Sequence, residues 1–238
     1  MIKLSVIIPA LNEAGALPAT LARVRLVWPE AEVIVVDGGS ADATRRIARD
    51  DGARVRESEA GRGRQVRRGA AAASGDWLFF LHADTLVPLD GAALVEDFAR
   101  ENPTGVATFR LRFDSPHWFL RGCAWFTRFD TVWTRFGDQG ILVSRAHYHH
   151  MGGFPEWPLF EDVEFLRRAR RLSPVVSLPA AVVTSPRRFE ATGHLRQQWR
   201  NARLLGRFLR GESPHSLAQF YLSRKIAGSR IAHETSVD

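Results

Sequence analysis

Two carboxylates at the ends of apolar runs are the residues of this chain best suited to chemistry. Asp37 closes Glu32-Val33-Ile34-Val35-Val36, and Asp84 follows Trp77-Leu78-Phe79-Phe80-Leu81-His82-Ala83. If both runs are strands of a parallel sheet, their C-terminal ends reach one edge, where open α/β folds bind ligands. Gly38-Gly39-Ser40 follows the first acid, and Gly61-Arg62-Gly63-Arg64-Gln65 lies between the two. A helix opening at that second glycine cluster would aim backbone N–H groups and its positive dipole end at phosphate, with Arg62 or Arg64 adding charge-assisted contacts. Asp37 can accept a hydrogen bond from a base imide, which favours uridine over cytosine. Asp84 offers one hard oxygen to Mg²⁺ or Mn²⁺, ions that complete their shells with phosphate and water. The set suits a nucleotide and a divalent cation, and so sugar-nucleotide chemistry.

Other candidates are more ambiguous. Glu161-Asp162 precedes an amphipathic stretch. Acids in a first helical turn are favoured by the dipole alone, but an inverting transfer also needs a carboxylate to deprotonate an acceptor hydroxyl, and Asp162 is the better placed. Pro9-Ala10-Leu11-Asn12-Glu13 replaces the Gly-x-Gly-x-x-Gly turn of a dinucleotide-binding domain, which counts against a dehydrogenase. A nucleotidyltransferase's glycine- and arginine-rich loop is missing there too. Asn12-Glu13 also reads as a helix cap, as does Ser40 or Asp42. Gly137-Asp138-Gln139-Gly140 reads as an acceptor-side loop or, equally, a tight turn. Arg187, Arg188 and His194 could close over a diphosphate, with His194 as a second metal ligand; solvated surface is the alternative.

These residues need a scaffold that brings strand ends together. Lys3 to Pro9, Glu32 to Val36, Ala53 to Glu57, Asp76 to Leu81 and Gly105 to Phe113 read as strands, separated by helical spacing after Asn12, from Ala41 to Arg49, Gly63 to Ser74 and Asp90 to Arg100. This rhythm predicts an α/β fold with a mostly parallel central sheet flanked by helices. The second half departs from it. Trp118, Phe119, Trp125, Phe126, Phe129, Trp133 and Phe136 recur at roughly helical spacing between His117 and Phe136. That stripe reads as core or homodimer contact, with a lipid-linked acceptor groove as the alternative. Gly140 to Ser144 and Val175 to Leu178 read as strands, Asp162 to Arg171 as a helix, and Leu195 to Leu209 as a basic amphipathic helix. The expected organisation is one domain over 1–238, with 1–115 binding the nucleotide sugar and 116–238 forming the helical, aromatic acceptor side.

Composition narrows the class. The 238 residues, 45% hydrophobic, suffice for one large domain, and 33 basic against 26 acidic residues give a net charge of +7. Only Lys3 and Lys225 are lysines, so arginine supplies the excess, which suits an anionic ligand or membrane surface. The arginines are dispersed and lack a zinc-finger or RNP signature, so nucleic acid is not an expected partner. Lone Cys123 fits a reducing compartment, and no signal peptide is evident. Charges at Arg121, Arg128, Asp130 and Arg135 break the longest apolar segment. The expected location is cytoplasmic, with peripheral inner-membrane contact as an option.

In their order, Pro9-Ala10-Leu11-Asn12-Glu13, Asp37-Gly38-Gly39-Ser40, Gly61-Arg62-Gly63, His82-Ala83-Asp84 and Glu161-Asp162 resemble the family 2 glycosyltransferases of GT-A fold, over residues 1 to about 190. The chain looks most like a small bacterial branch whose genes neighbour radical-SAM and arsenosugar genes. The resemblance implies an inverting enzyme using a nucleotide-diphospho-sugar, a divalent metal and an unidentified acceptor. By analogy, Pro9, Ala10, Leu11, Glu13, Asp37, Gly38, Gly39, Gly61, Arg62, Gln65, His82 and Ala83 would hold the nucleotide. Asp84 and His194 would hold the metal, Asp162 with Glu161 beside it would act as base, and Asp138 and Gln139 would face the acceptor. His82 stands where the family's Asp-x-Asp motif usually begins with aspartate, so one negative charge is lost. Gln197-Gln198-Trp199-Arg200 reverses the Trp and Arg of the processive members' Gln-x-x-Arg-Trp, so processive polymerisation is not expected. The rival readings are a sugar-phosphate nucleotidyltransferase and a non-catalytic, membrane-associated nucleotide-sugar-binding protein.

Overall fold

The computed structural model describes residues 1–219, so the expectation for the end of the acceptor half, 220–238, lies outside the described residues. β1 (Leu4–Ala10) and β2 (Glu32–Asp37) are β-branched runs buried on both faces. Their side chains alternate: Val6, Ile8, Val33 and Val35 enter one core layer, while Ile7, Ile34 and Val36 enter the other. α1 (Leu17–Val27) buries Leu17, Leu21 and Val24 at helical spacing on the first layer. α2 (Thr44–Asp50), β3 (Arg54–Glu57), α3 (Arg62–Ala72) and β4 (Trp77–Phe80) complete the first half of the chain. α3 lies tight on the sheet because Gly69 has no side chain; a Cβ there would sit 2.4 Å from Ile7.

Beyond β4 come β5 (Thr85–Leu86), α4 (Gly91–Glu101), β6 (Val106–Phe113), α5 (Trp118–Phe126), β7 (Ile141–Ser144), α6 (Arg145–His150), α7 (Glu161–Arg170), β8 (Val175–Thr184), α8 (Arg187–Thr192) and α9 (His194–Leu209). The described strands form one sheet in the order β3-β2-β1-β4-β7-β6-β8-β5. Pairing is parallel from β3 through β4 and between β6 and β8, as the alternation of strands and helices predicts. β7 runs antiparallel to β4 and β6, and β5 antiparallel to β8.

Three local results differ from the sequence reading. β8 continues past Leu178 because Pro179 falls in the register shift between Thr108↔Ser177 and Arg110↔Ala181, where a strand tolerates a missing N–H. The aromatic stripe is helical only to Phe126; the Thr127 hydroxyl bonds Ala124 O at 2.7 Å and accepts from Leu111 N at 3.0 Å, fixing the helix end. It is also only partly core. Leu120 is buried and Phe119, Cys123 and Ala124 pack beneath it, whereas Trp118, Trp125, Phe126, Phe129 and Trp133 are exposed. Arg135, unremarkable in sequence, is almost fully buried, donating to Thr108 Oγ1 at 2.6 Å and pairing with Asp130 at 3.2 Å.

Candidate functional site

The C-terminal ends of β1, β2 and β4 share one edge, where Ala10 pairs with Asp37 in the parallel register. Asp37 is fully buried. Its Oδ2 accepts from Gly39 N and Ser40 N at 3.0 Å each, and Arg45 Nε lies 3.7 Å away. Its Oδ1 is buried with no hydrogen-bond partner among the described residues. Asp37 therefore shapes the Gly38-Gly39 turn with one oxygen and keeps the other uncommitted. Gly39 adopts a left-handed φ of 93°, which glycine takes without strain.

Gln65, expected to touch nucleotide, holds backbone through its amide nitrogen. Its amide donates to Ala10 O at 2.9 Å and Val36 O at 2.8 Å, fastening α3 across the ends of β1 and β2. Asn12 and Glu13 do not cap α1 with their side chains. Asn12 Oδ1 accepts from Ala41 N at 2.9 Å, while Ser40 and Thr44 hydroxyls accept from Asn12 N and Glu13 N. Asp42 takes its expected capping role, accepting from Thr44 N at 3.0 Å, and also receives Ala14 N at 3.0 Å. Pro9, Ala10, Leu11 and Ala83 thus line the strand ends within a tied network of loops.

Arg62 is the centre of the second cluster. It opens α3 after Gly61 and bonds the Glu161 carboxylate through Nε, Asp162 Oδ2 at 3.4 Å through Nη2, and His82 Nε2 at 3.2 Å through Nη1. Gly63 permits this approach of α3 to the loop before α7; a Cβ there would meet Pro155 O at 2.4 Å. Burial opposes Arg62's charge, but Glu161, Asp162 and Asp138 hold its pKa above the ordinary arginine value. His82 is held well below its ordinary value by burial, then by Arg62 and Arg188. The imidazole is therefore neutral and accepts at Nε2 from Arg62, which places its proton on Nδ1. His82 faces Arg62 rather than any cation-binding carboxylate.

Glu161 and Asp162 both begin α7, as expected. Asp162 is well occupied: Oδ2 accepts from Gly137 N at 2.7 Å and Oδ1 from Val163 N at 2.8 Å. Glu161 is raised by burial, with Arg62 opposing and Asp162 adding to the shift, and its Oε2 lacks a partner among the described residues. The Gly137–Gln139 turn places Asp138 beside this pair. Asp138 is pushed up to about 6, mainly by burial and then by Asp162, with Arg62 opposing and Asp84 contributing; its Oδ1 also lacks a partner. Gln139 is buried and donates to Thr134 O at 2.7 Å, so it braces the turn instead of facing outward.

The β5–β8 pairing, with Thr85 and Thr184 hydroxyls 3.0 Å apart, brings α8 to the site. Arg187 Nη2 there contacts Glu13 Oε2 at 2.7 Å and Asp84 Oδ2 at 2.9 Å. Two carboxylates thus converge on a single cationic nitrogen, a donor set that suits a hard divalent ion. His194 instead stacks on His117 with ring centroids 4.0 Å apart. Among the described residues, no group of three or more His, Cys, Asp or Glu is arranged to hold a metal. The Glu13–Asp84–Arg187 triad has no local signature, because its members are distant in sequence; the sequence reading had set Arg187 over a diphosphate and not against these two carboxylates.

Comparison with known proteins bears on this geometry. A "PGL/p-HBAD biosynthesis glycosyltransferase" from Mycobacterium bovis (strain BCG / Pasteur 1173P2) is 39% identical over 107 residues, 41% of this chain and 42% of the relative. The Mycobacterium tuberculosis (strain ATCC 25618 / H37Rv) counterpart matches equally, so the matched stretch spans less than half of these relatives. Among solved structures, the mannosyltransferase PcManGT from Pyrobaculum calidifontis, in complex with GDP-Man and Mn²⁺, aligns with a TM-score of 0.65 at 19% identity over 100% of this chain and 76% of its own. The S. aureus TarS structure in complex with UDP-GlcNAc aligns at 0.61 and 19% identity over 77% of this chain and 58% of that one. At such identity the likeness establishes the mixed α/β GT-A architecture. The family described as "Glycosyl transferase family 2" matches residues 5–154, and the chain belongs to that family.

Proposed function

We propose that this protein is an inverting glycosyltransferase that moves a sugar from a nucleotide-diphospho-sugar, with uridine as the favoured base, to an acceptor hydroxyl. The observation that carries the reading is the contact of Arg62, at the start of α3, with His82, Glu161 and Asp162, beside the strand ends that carry Asp37. The PcManGT structure holds GDP-Man and the TarS structure UDP-GlcNAc, so this architecture accommodates more than one base. The uridine preference rests on Asp37, whose uncommitted Oδ1 suits an imide N–H and would repel the acceptor edge of cytosine. Gly38-Gly39 would lie under the nucleotide.

The reaction follows from the charges present. The acceptor oxygen attacks the anomeric carbon as the bond to the diphosphate breaks, and the acceptor proton passes to a carboxylate. Asp162 is that base, oriented by the Gly137 N–H and by Arg62. Arg62 pairs with the Asp162 carboxylate before transfer; once the proton arrives that charge is neutralised, and Glu161 remains as the anionic partner of Arg62. A divalent cation held by Asp84, with Glu13 as second carboxylate, would supply charge neutralisation for the departing diphosphate. Arg187 occupies that position here and must release Asp84 for such an ion to enter. A second assignment has its own support: Asp138, with an unpartnered oxygen and a pKa near 6, has the proton affinity expected of a base working near neutral pH.

The test is turnover with a panel of UDP-, GDP- and dTDP-sugars and Mn²⁺, following free nucleoside diphosphate. Diphosphate release from a UDP-sugar is the expected result. Pyrophosphate formed from sugar phosphate and nucleoside triphosphate would assign the protein to nucleotidyl transfer. Donor binding without any turnover or slow hydrolysis would leave a nucleotide-sugar-binding protein.

A further inference from the structure

Two surfaces not used by the proposed chemistry adjoin each other. α5 turns Trp118, Arg121 and Trp125 outward, positions three and four residues apart that share one helix face. Phe126, Arg128 and Phe129 continue that exposure beyond the helix, and the Arg128 guanidinium lies 4.3 Å above the Trp125 ring. α9 presents a second exposed stripe of Leu195, Arg196, Trp199 and Arg203. His117, the residue before α5, stacks on His194 at the start of α9, and Trp133, in the loop after α5, lies 4.0 Å from a Cβ built at Gly206 of α9.

The exposure is unusual in kind. Trp118 is 75% exposed, Trp199 72% and Leu195 69%, whereas large apolar side chains at such density on one surface generally mark an interaction site. The charge is one-sided as well. Within residues 117–136 and 194–210 the exposed arginines are Arg121, Arg128, Arg196, Arg203 and Arg210, and the one acid in those ranges is Asp130. That acid is already engaged, at 2.7 Å from Arg170 and 3.2 Å from Arg135. Exposed tryptophans interleaved with arginines match the headgroup layer of a bilayer, where indole sits between water and acyl chains and cations meet anionic lipid. An acidic protein would complement the charge, but would not by itself call for so many projecting indoles.

We propose that the joined outer faces of α5 and α9 dock the protein on an anionic membrane surface. Trp118, Trp125 and Trp199 would insert at headgroup depth while Arg121, Arg128, Arg196 and Arg203 pair with lipid phosphates. Among the described residues no helix is long and apolar enough to cross a membrane, so this attachment is peripheral. It is independent of the proposed transfer, because none of these side chains contacts Arg62, Asp84 or Asp162.

Flotation of the full chain with vesicles tests it, comparing phosphatidylcholine alone with vesicles containing about one-third phosphatidylglycerol. Binding should favour the anionic vesicles by more than tenfold and weaken with added salt. Each arginine replaced in Arg121→Ser, Arg128→Ser and Arg203→Ser should lower partitioning about fivefold, the equivalent of about 1 kcal/mol per cation near an anionic surface. Trp118→Ser with Trp125→Ser should lower it further, and brominated acyl chains should quench wild-type tryptophan emission more than that of the double variant. Unchanged far-UV circular dichroism and donor binding would confirm that the variants fold. Equal affinity for both vesicle types, or arginine and tryptophan variants that bind as wild type, would overturn the proposal. So would a wild-type dimer in sedimentation that the tryptophan variant converts to monomer without any vesicle binding, since the face would then be a contact between copies.

Discussion

The proposed donor side and the proposed acceptor side of the site solve the same problem, holding buried polar groups, in different ways. On the donor side the partners are mostly backbone: Asp37 receives Gly39 and Ser40 N–H groups, Gln65 donates to Ala10 and Val36 carbonyls, and Asn12 accepts from Ala41. Around α7, side chains join the backbone partners of Asp162: Arg62 links Glu161, Asp162 and His82 across 20 to 100 positions of sequence, beside the Gly137 and Val163 N–H groups. Backbone partners are fixed by the strands themselves. Charged side-chain clusters depend on every member being present and leave residual valence, seen at Glu161 Oε2 and Asp138 Oδ1. Both ends keep buried oxygens without partners among the described residues, Asp37 Oδ1 at the end of β2 and Glu161 Oε2 and Asp138 Oδ1 beside α7, so the contrast lies in what holds each group in place and not in whether it is satisfied.

Replacing a base tests the acceptor side most severely. Asp162→Asn should lower kcat by about 10²- to 10⁴-fold at saturating donor while leaving donor affinity nearly unchanged. Asp138→Asn and Glu161→Gln should each cost less. A larger kcat loss at Asp138 would transfer the base to the Gly137–Gln139 turn. Next in size, Arg62→Ala leaves two buried carboxylates without their cation and should cost about 3–5 kcal/mol in urea unfolding. An effect below about 1 kcal/mol would show that the cluster is already open to water.

The pH dependence of Asp138 gives a smaller effect with a definite sign. Its pKa lies near 6, raised from an ordinary 3.8 by burial and by Asp162. A carboxyl raised on folding adds stability below its unfolded pKa and loses that contribution as pH rises through the folded value. Asp138→Asn should therefore be more stable than wild type at pH 8, by about 1–3 kcal/mol, with the difference vanishing below about pH 4. Equal stability at pH 8 would mean that Asp138 ionises freely. Least in magnitude, Arg187→Ala should tighten Mn²⁺ binding to the ligand-free protein by about tenfold, roughly 1.4 kcal/mol, read by calorimetry. Weaker binding in the variant would make Arg187 a support for the cation position and not its competitor.

Much of the donor side was legible in the sequence. Runs such as Leu4–Ala10 and Glu32–Asp37 alternate between two core layers, a pattern that any sheet buried on both faces imposes. Their ends, the Gly38-Gly39 turn and the helix after Gly61 follow from adjacent residues. The acceptor side was less legible. The strand read as ending at Leu178 continues past Pro179 through a register shift, and the aromatic stripe of 118–136, read as core or homodimer contact, leaves five aromatic side chains facing outward. Helical spacing reports that residues share a face, but not which face the rest of the molecule covers.

By itself, then, the sequence determined the strands, the order of the acids along them and the sheet edge to which the first two belong, because these depend on local periodicity and chain direction. Tertiary structure decided which charges meet. Arg187 lies 174 residues from Glu13 and 103 from Asp84, yet one nitrogen contacts both. Arg62 lies 99 residues from Glu161 and turns to it rather than to open phosphate space. His194 stacks on the ring of His117, and the Gln65 amide donates to two backbone carbonyls from different strands. Such choices depend on the few ångströms between packed elements, since the strength of an ion pair or hydrogen bond rests on distance and burial that no local pattern encodes.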